Sequence, residues 1–113
     1  MELGGSDAFI VLEDADLEKT VKWAVWGKMN NTGQSCVAAK RVIVVEKLAD
    51  RFLEKFKTEL EILKPGDPMD KVTTLAPLSS EAALVKLLDQ VTRAVASGAK
   101  VVIGGGRVDR PGA

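Results

Sequence analysis

The sequence predicts an α/β fold, a parallel sheet with helical crossovers in a three-layer α/β/α arrangement. Short, wholly apolar runs recur along the chain, at Phe9-Ile10-Val11-Leu12, Val42-Ile43-Val44-Val45 and Val101-Val102-Ile103. Between them lie longer segments whose apolar residues keep the helical period, and glycine, proline or asparagine clusters separate the elements. Continuous apolar runs of four or so residues suit strands buried on both faces, and strands alternating with helices imply parallel pairing with right-handed crossovers.

Phe9 to Leu12 reads as the first strand. Asp14 or Asp16 offers an N-cap for the helix that follows, in which Leu17, Val21, Ala24 and Val25 fall on one stripe until Asn30-Asn31-Thr32-Gly33 stops it. Val42 to Val45 reads as the second strand. A second helix carries Leu48, Phe52, Leu53, Phe56, Leu60 and Leu63 at helical spacing and ends at Lys64-Pro65-Gly66-Asp67-Pro68. A loop is expected from Pro65 to Pro77. Ser79 or Ser80 caps a third helix with Glu81 in its first turn, and Leu84, Leu87, Leu88, Val91, Ala94 and Val95 line one face up to Gly98. Val101 to Ile103 is then expected as a third strand. The glycine-rich tail from Gly104 onward adds no element, so the sheet is expected to continue in residues outside this chain, with both ends of the segment cut.

At 113 residues, with 46% hydrophobic and 28% charged residues, the chain has enough apolar side chains for one core. Sixteen basic residues balance sixteen acidic ones, which leaves no electrostatic footprint for nucleic acid or an anionic membrane. No apolar run reaches the ~20 residues of a bilayer span, and the start of the chain lacks the pattern of a signal peptide, so a cytoplasmic location is expected. There is no histidine and only one cysteine, Cys36. An internal disulfide and a Cys-His or Ser-His-Asp arrangement within the chain are thereby excluded, the usual zinc spacings are absent so that no structural metal is expected, and a thiolate here needs backbone amides, a helix end or a cation to favour it.

Two glycine-marked segments carry the chemistry, Met1-Glu2-Leu3-Gly4-Gly5 and Asn31-Thr32-Gly33-Gln34-Ser35-Cys36. Each precedes a strand. A helical crossover between parallel strands returns the chain to the sheet edge from which it started, and neighbouring strands lie ~4.8 Å apart, so Glu2 and Cys36 can share a site despite their separation in sequence. A free cysteine is commonly inert packing and a terminal glutamate commonly solvated. Cys36, however, follows polar Gln34 and Ser35 in a turn, and Gly4 and Gly5 leave the backbone open to a flat ligand. A carboxylate serves as general base and a thiol as nucleophile. Lys28, Lys40 and Arg41 are the nearest cations in sequence, but exposed basic residues are usually solvated, and none is placed in the site. Trp23 and Trp26 read as core or interface residues rather than as walls of an entrance.

Glu2-Leu3-Gly4-Gly5 resembles the glutamate signature of aldehyde dehydrogenases, and Gly33-Gln34-Ser35-Cys36 resembles their cysteine signature. The similarity extends through Val42 to Val45, Lys64 to Pro68, Leu75-Ala76-Pro77-Leu78 and Gly98-Ala99-Lys100. The resemblance implies that residues 1–113 form the N-terminal part of the catalytic domain. It implies that the cofactor domain lies upstream and holds most of the NAD or NADP. It implies further that Cys36 adds to the aldehyde carbonyl, that Glu2 activates the hydrolytic water, and that Gly4 and Gly5 border the nicotinamide. The oxyanion is then met by the Cys36 backbone N–H and an upstream asparagine amide. A dimer or tetramer is implied for the full-length parent, and the isolated segment is expected to be inactive. Gly104-Gly105-Gly106 does not fit a dinucleotide fingerprint and is read as a turn.

Within the family, Trp26 to Arg41 looks closest to bacterial succinate-semialdehyde dehydrogenases, which implies succinate semialdehyde as the substrate. Asn30 stands where many enzymes of that type carry arginine, so a different cation would have to meet the carboxylate, and Ala38 replaces a second cysteine found in some of them. The competing reading is a non-enzymatic α/β module in which Cys36 serves packing, redox sensing or partner binding.

Overall fold

The computed structural model describes residues 4–110 and 112, so Glu2 lies outside the described residues. The chain divides into two compact units, Met1–Lys64 and Pro65–Ala113.

In the first unit, strand β1 (Ala8–Val11) pairs in parallel with strand β2 (Arg41–Val44), and helix α1 (Leu17–Met29) makes the crossover between them. The register sets Ala8 against Arg41 and Val11 against Val44. Backbone bonds extend the pairing at both ends, from Arg41 N–H to Asp7 O at 3.3 Å and from Val45 N–H to Val11 O at 3.1 Å. Helix α2 (Glu46–Glu61) follows β2 directly.

Side chains alternate across a strand, so each strand sorts its apolar residues by face. Val11, Val21, Ala24 and Phe52 form the core, with Phe9, Ala15, Leu17, Val42, Val44, Leu48 and Phe56 packed against it. Both helices therefore cover the same face of the sheet. On the other face Ile10 is 63% exposed and Ile43 49% exposed, so within this unit only one side of the sheet is covered.

Asp16 caps α1, its carboxylate accepting from the Lys19 N–H at 3.2 Å, so the choice between Asp14 and Asp16 falls on the residue immediately before the helix. The buried line is Val21, Ala24 and Val25. Trp23 and Trp26 sit off that line, in an edge-to-face pair with centroids 5.6 Å apart, and both are exposed, so they are not core residues of this unit. In α2 the period brings Phe52 and Phe56 together as a stacked pair at 5.4 Å, with Phe52 buried. Lys55 bridges α2 to Glu18 of α1, and Lys47 reaches Glu13 at 2.8 Å. All four groups face solvent, where such pairs fix alignment more than they add stability.

The second unit opens on a loop closed by its own backbone, with Gly66 N–H donating to Leu75 O at 3.2 Å. The Asp67 and Asp70 side chains accept from the N–H groups two residues ahead, as turn-forming aspartates do. Helix α3 (Glu81–Ala96) is capped by Ser80, whose hydroxyl accepts from the Ala83 N–H at 3.1 Å. Its other end closes in a Schellman motif: Gly98 N–H donates to Val95 O, Ala99 N–H donates to Ala94 O, and Gly98 takes φ +100. Arg107 forks onto Glu81, and this hydrogen bond holds the Glu81 carboxyl below its ordinary range. The expected third strand at Val101 to Ile103 is not formed. A strand exists only as half of a ladder, and a parallel apolar run has nothing local to pair with.

Phe52→Ala removes the largest buried side chain of α2 and should destabilise the first unit by about 3–5 kcal/mol, whereas Leu53→Ala, at a more exposed position, should cost about 1 kcal/mol or less. Urea unfolding followed by the fluorescence of Trp23 and Trp26 measures both. Equal losses would contradict the assignment of the core to the Phe52 side of the helix.

Candidate active site

Helix α1 does not fade into β2 but stops in three successive residues of left-handed backbone, Asn31 at φ 52, Thr32 at φ 58 and Gly33 at φ 74. For a β-branched threonine this conformation costs on the order of 1–3 kcal/mol, so the surroundings must enforce it. They do so through short bonds. Gln34 donates to Asn31 O from both its backbone N–H at 3.1 Å and its side-chain amide at 3.2 Å, while the Asn31 amide returns a bond to Gln34 O at 3.3 Å. Glycine is required at position 33 on two counts, its positive φ and a Cβ that would lie 3.1 Å from Lys28 O.

The chain then makes a second turn, Ser35 to Ala38, closed by Ala38 N–H donating to Ser35 O at 3.1 Å. Ala38 is buried and Ala39 N–H donates to Gly27 O at 3.0 Å, which pins the turn to the last turn of α1. Cys36 sits in this second turn as a free, exposed thiol. It is the opposite of a packed core cysteine.

Lys40 reaches back beneath the turn, its ammonium donating to Ser35 O at 2.9 Å, Cys36 O at 3.1 Å and Ala38 O at 3.3 Å. Arg41 braces the other arm, its Nε donating to Ser6 O at 2.9 Å. Gly5 closes the arrangement. A Cβ on Gly5 would stand 3.0 Å from the Cys36 carbonyl oxygen, so the glycine segment and the cysteine turn run in contact, and only a residue without a side chain fits there undisturbed. Gly4, at φ +72, has open space where a Cβ would be. The structure thus brings together Gly5 and Cys36, and sets Gly4 beside them in sequence with an open flank; Glu2 is outside the described residues.

Sequence reasoning left out Lys40 and Arg41. The signal was their place at the entry to β2, Lys40 just before the strand and Arg41 its first residue, directly after a turn whose carbonyls are not paired in a helix or ladder. Lys28 also belongs to this neighbourhood: burial, then the nearby Lys40 charge, lower its pKa from the usual lysine value. Among the described residues no group of histidine, cysteine, aspartate and glutamate is placed to hold a metal ion, and no helix is long and apolar enough to cross a membrane.

The sequence model of the aldehyde dehydrogenase family matches residues 1–113. The chain is 51% identical over 113 residues to the NADP(+) succinate-semialdehyde dehydrogenase of Deinococcus radiodurans, covering all of this chain and 24% of that protein. A solved structure of Gox0499, studied for cofactor and substrate selection, superposes with a TM-score of 0.96 at 56% identity, covering 99% of this chain and 25% of the other. The succinic semialdehyde dehydrogenase of Streptococcus pyogenes, solved with NADP+, gives 0.93 at 48% identity, with 98% and 24% covered. The chain therefore spans about a quarter of the length of the relatives it matches.

The lowered pKa of Lys28 carries a stability consequence. The fold disfavours the protonated lysine, so between the lowered folded value and the unfolded value near 10.5 the unfolded chain binds more protons, and stability rises with pH. The cost is fully present below the folded value. Lys28→Met should therefore raise the urea midpoint at neutral pH, with the gap to the unsubstituted chain narrowing as the pH approaches 10.5. A variant less stable at neutral pH would show that the ammonium is a net support of the turn.

Proposed function

The chain belongs to the aldehyde dehydrogenase family, and from that premise we propose that it forms the N-terminal part of a catalytic domain that oxidises an aldehyde to its carboxylic acid with NAD or NADP. The observation that supports this most is the contact between the two signature segments, Gly5 against the carbonyl of an exposed Cys36.

In this reading the Cys36 thiolate adds to the aldehyde carbon, forming a C–S bond, while the carbonyl oxygen takes the negative charge and is met by the Cys36 N–H. The nicotinamide cofactor supplies the hydride acceptor when bound. Gly4 and Gly5 would border its nicotinamide end, Gly4 with open space where a Cβ would be and Gly5 packed against the Cys36 carbonyl oxygen. Loss of hydride from the former aldehyde carbon leaves a thioester on Cys36. Glu2 takes a proton from water, the water oxygen adds to the thioester carbon, and cleavage of the C–S bond releases the acid and restores the thiolate.

Succinate semialdehyde is the proposed substrate, on the strength of relatives so named. Asn30 supplies no charge for the distal carboxylate, so a cation elsewhere in the protein meets it. NADP is the proposed cofactor for the same reason. The protein is proposed to work in the cytoplasm as a dimer or tetramer, without nucleic acid or membrane partners, in keeping with its balanced charge.

Expressed at its full encoded length, the protein should prefer succinate semialdehyde over neutral aldehydes of similar length in kcat/KM, with NADP the better cofactor. Equal use of neutral aldehydes would contradict carboxylate recognition. Cys36→Ala should lower turnover by about 10⁴-fold or more. Glu2→Gln keeps the shape of the side chain but cannot take a proton. It should give a burst of reduced nicotinamide near one equivalent per site, followed by turnover slowed by about 10²-fold or more. Unslowed turnover without a burst would remove Glu2 from the role of base.

A further inference from the structure

Three carbonyl oxygens of one short turn, those of Ser35, Cys36 and Ala38, converge on the Lys40 ammonium within 2.9 to 3.3 Å. A peptide group is planar, and the described residues contain no cis bond, so each carbonyl points opposite to the N–H that follows it. Drawing the Ser35 carbonyl onto Lys40 therefore turns the Cys36 N–H away from the lysine. Among the described residues the Cys36 N–H has no acceptor. A peptide whose oxygen bonds to a charged donor is also a better donor at its nitrogen, because hydrogen bonds in a chain polarise one another.

We infer that Lys40 is a positioning residue for the oxyanion donor: its ammonium, by gathering the carbonyls of Ser35, Cys36 and Ala38, fixes the direction and strengthens the polarity of the Cys36 N–H. The inference rests on the reading of Cys36 as nucleophile. Lys40 touches neither substrate nor thiol in this role; it acts through the peptide plane between Ser35 and Cys36. One compact ammonium with three donors can serve three converging oxygens, whereas a flat guanidinium directs its donors in a plane. Charge and geometry are separable for that reason. The lowered pKa of Lys28, part of it caused by Lys40, shows that the Lys40 charge is felt within the same turn region.

The test compares Lys40→Met and Lys40→Arg with the unsubstituted protein at full encoded length, using succinate semialdehyde and NADP. Two rates are read on each: the burst of NADPH, which needs the oxyanion donor, and alkylation of Cys36 by iodoacetamide as a function of pH, which needs only the thiolate. Lys40→Arg should slow the burst by at least about tenfold while its alkylation profile stays within about twofold of the original, because charge is kept and aim is lost. Lys40→Met should slow the burst at least as much, with KM for the aldehyde changed less than kcat. A burst at the original rate in Lys40→Arg, or a burst slowed only in proportion to alkylation, overturns the proposal, the second outcome assigning Lys40 to the thiol's charge instead. Because Lys40→Arg retains the cation, it also answers the question should Lys40→Met fail to fold. Cys36→Ala separates the two levels of the argument: a retained burst there refutes the nucleophile itself, whereas its loss beside an unaffected Lys40→Arg refutes the role of Lys40 alone.

Discussion

Parallel pairing of β1 with β2 is the constraint on which the first unit depends. The crossover through α1 carries the chain from the end of β1 back to the edge where β1 began, so the segments that precede the two strands must run side by side. The ladder ends with Arg41 N–H on Asp7 O, and the contact continues past it through Arg41 Nε on Ser6 O and Gly5 against the Cys36 carbonyl. Helix packing holds this pairing in place from one side only, with Val11, Val21, Ala24 and Phe52 as its centre. The core thus lies on one face of the sheet and the candidate site at the edge where the strands begin.

The second constraint is the abrupt end of α1. Three left-handed residues in a row are strained, and the structure answers with reciprocal bonds between Asn31 and Gln34 and with a lysine that collects carbonyls. A helix fading gradually would bury the cysteine or leave it to fray. The sharp stop instead presents Cys36 on a turn anchored at Gly27, Ala38 and Lys40, so that the thiol is exposed while its backbone is held.

Much of this was legible because the signals are local. Asp16, Ser80 and Gly98 mark helix ends by chemistry confined to a few residues, and the stripes Val21-Ala24-Val25 and Phe52-Phe56 follow from the helical period alone. The parallel order followed from strands alternating with helices. Burial by face was not legible, because Ile10 and Phe9 are equally apolar and only the position of the helices tells them apart. Val101 to Ile103 has the composition of a strand, yet pairing is non-local and composition cannot supply a partner. In the site, Cys36 and the glycine segment stood out through their motifs. Lys40 and Arg41 did not, since a lysine that binds carbonyls and a lysine in water look the same in sequence. For Trp23 and Trp26 the sequence left core and interface open together, and their exposure removes only the core half of that reading.

The account stands or falls on the contact between the glycine segment and the cysteine turn. Its most direct test is the rate at which an acyl adduct appears on Cys36, followed by acid quench and mass spectrometry of the full-length protein with succinate semialdehyde and NADP, in the Gly5→Ala variant. A Cβ placed 3.0 Å from the Cys36 carbonyl oxygen must displace the turn by a few tenths of an ångström, and acylation should slow by about tenfold or more. Acylation of Cys36 at the unsubstituted rate would contradict the claim that this contact sets the geometry of the site.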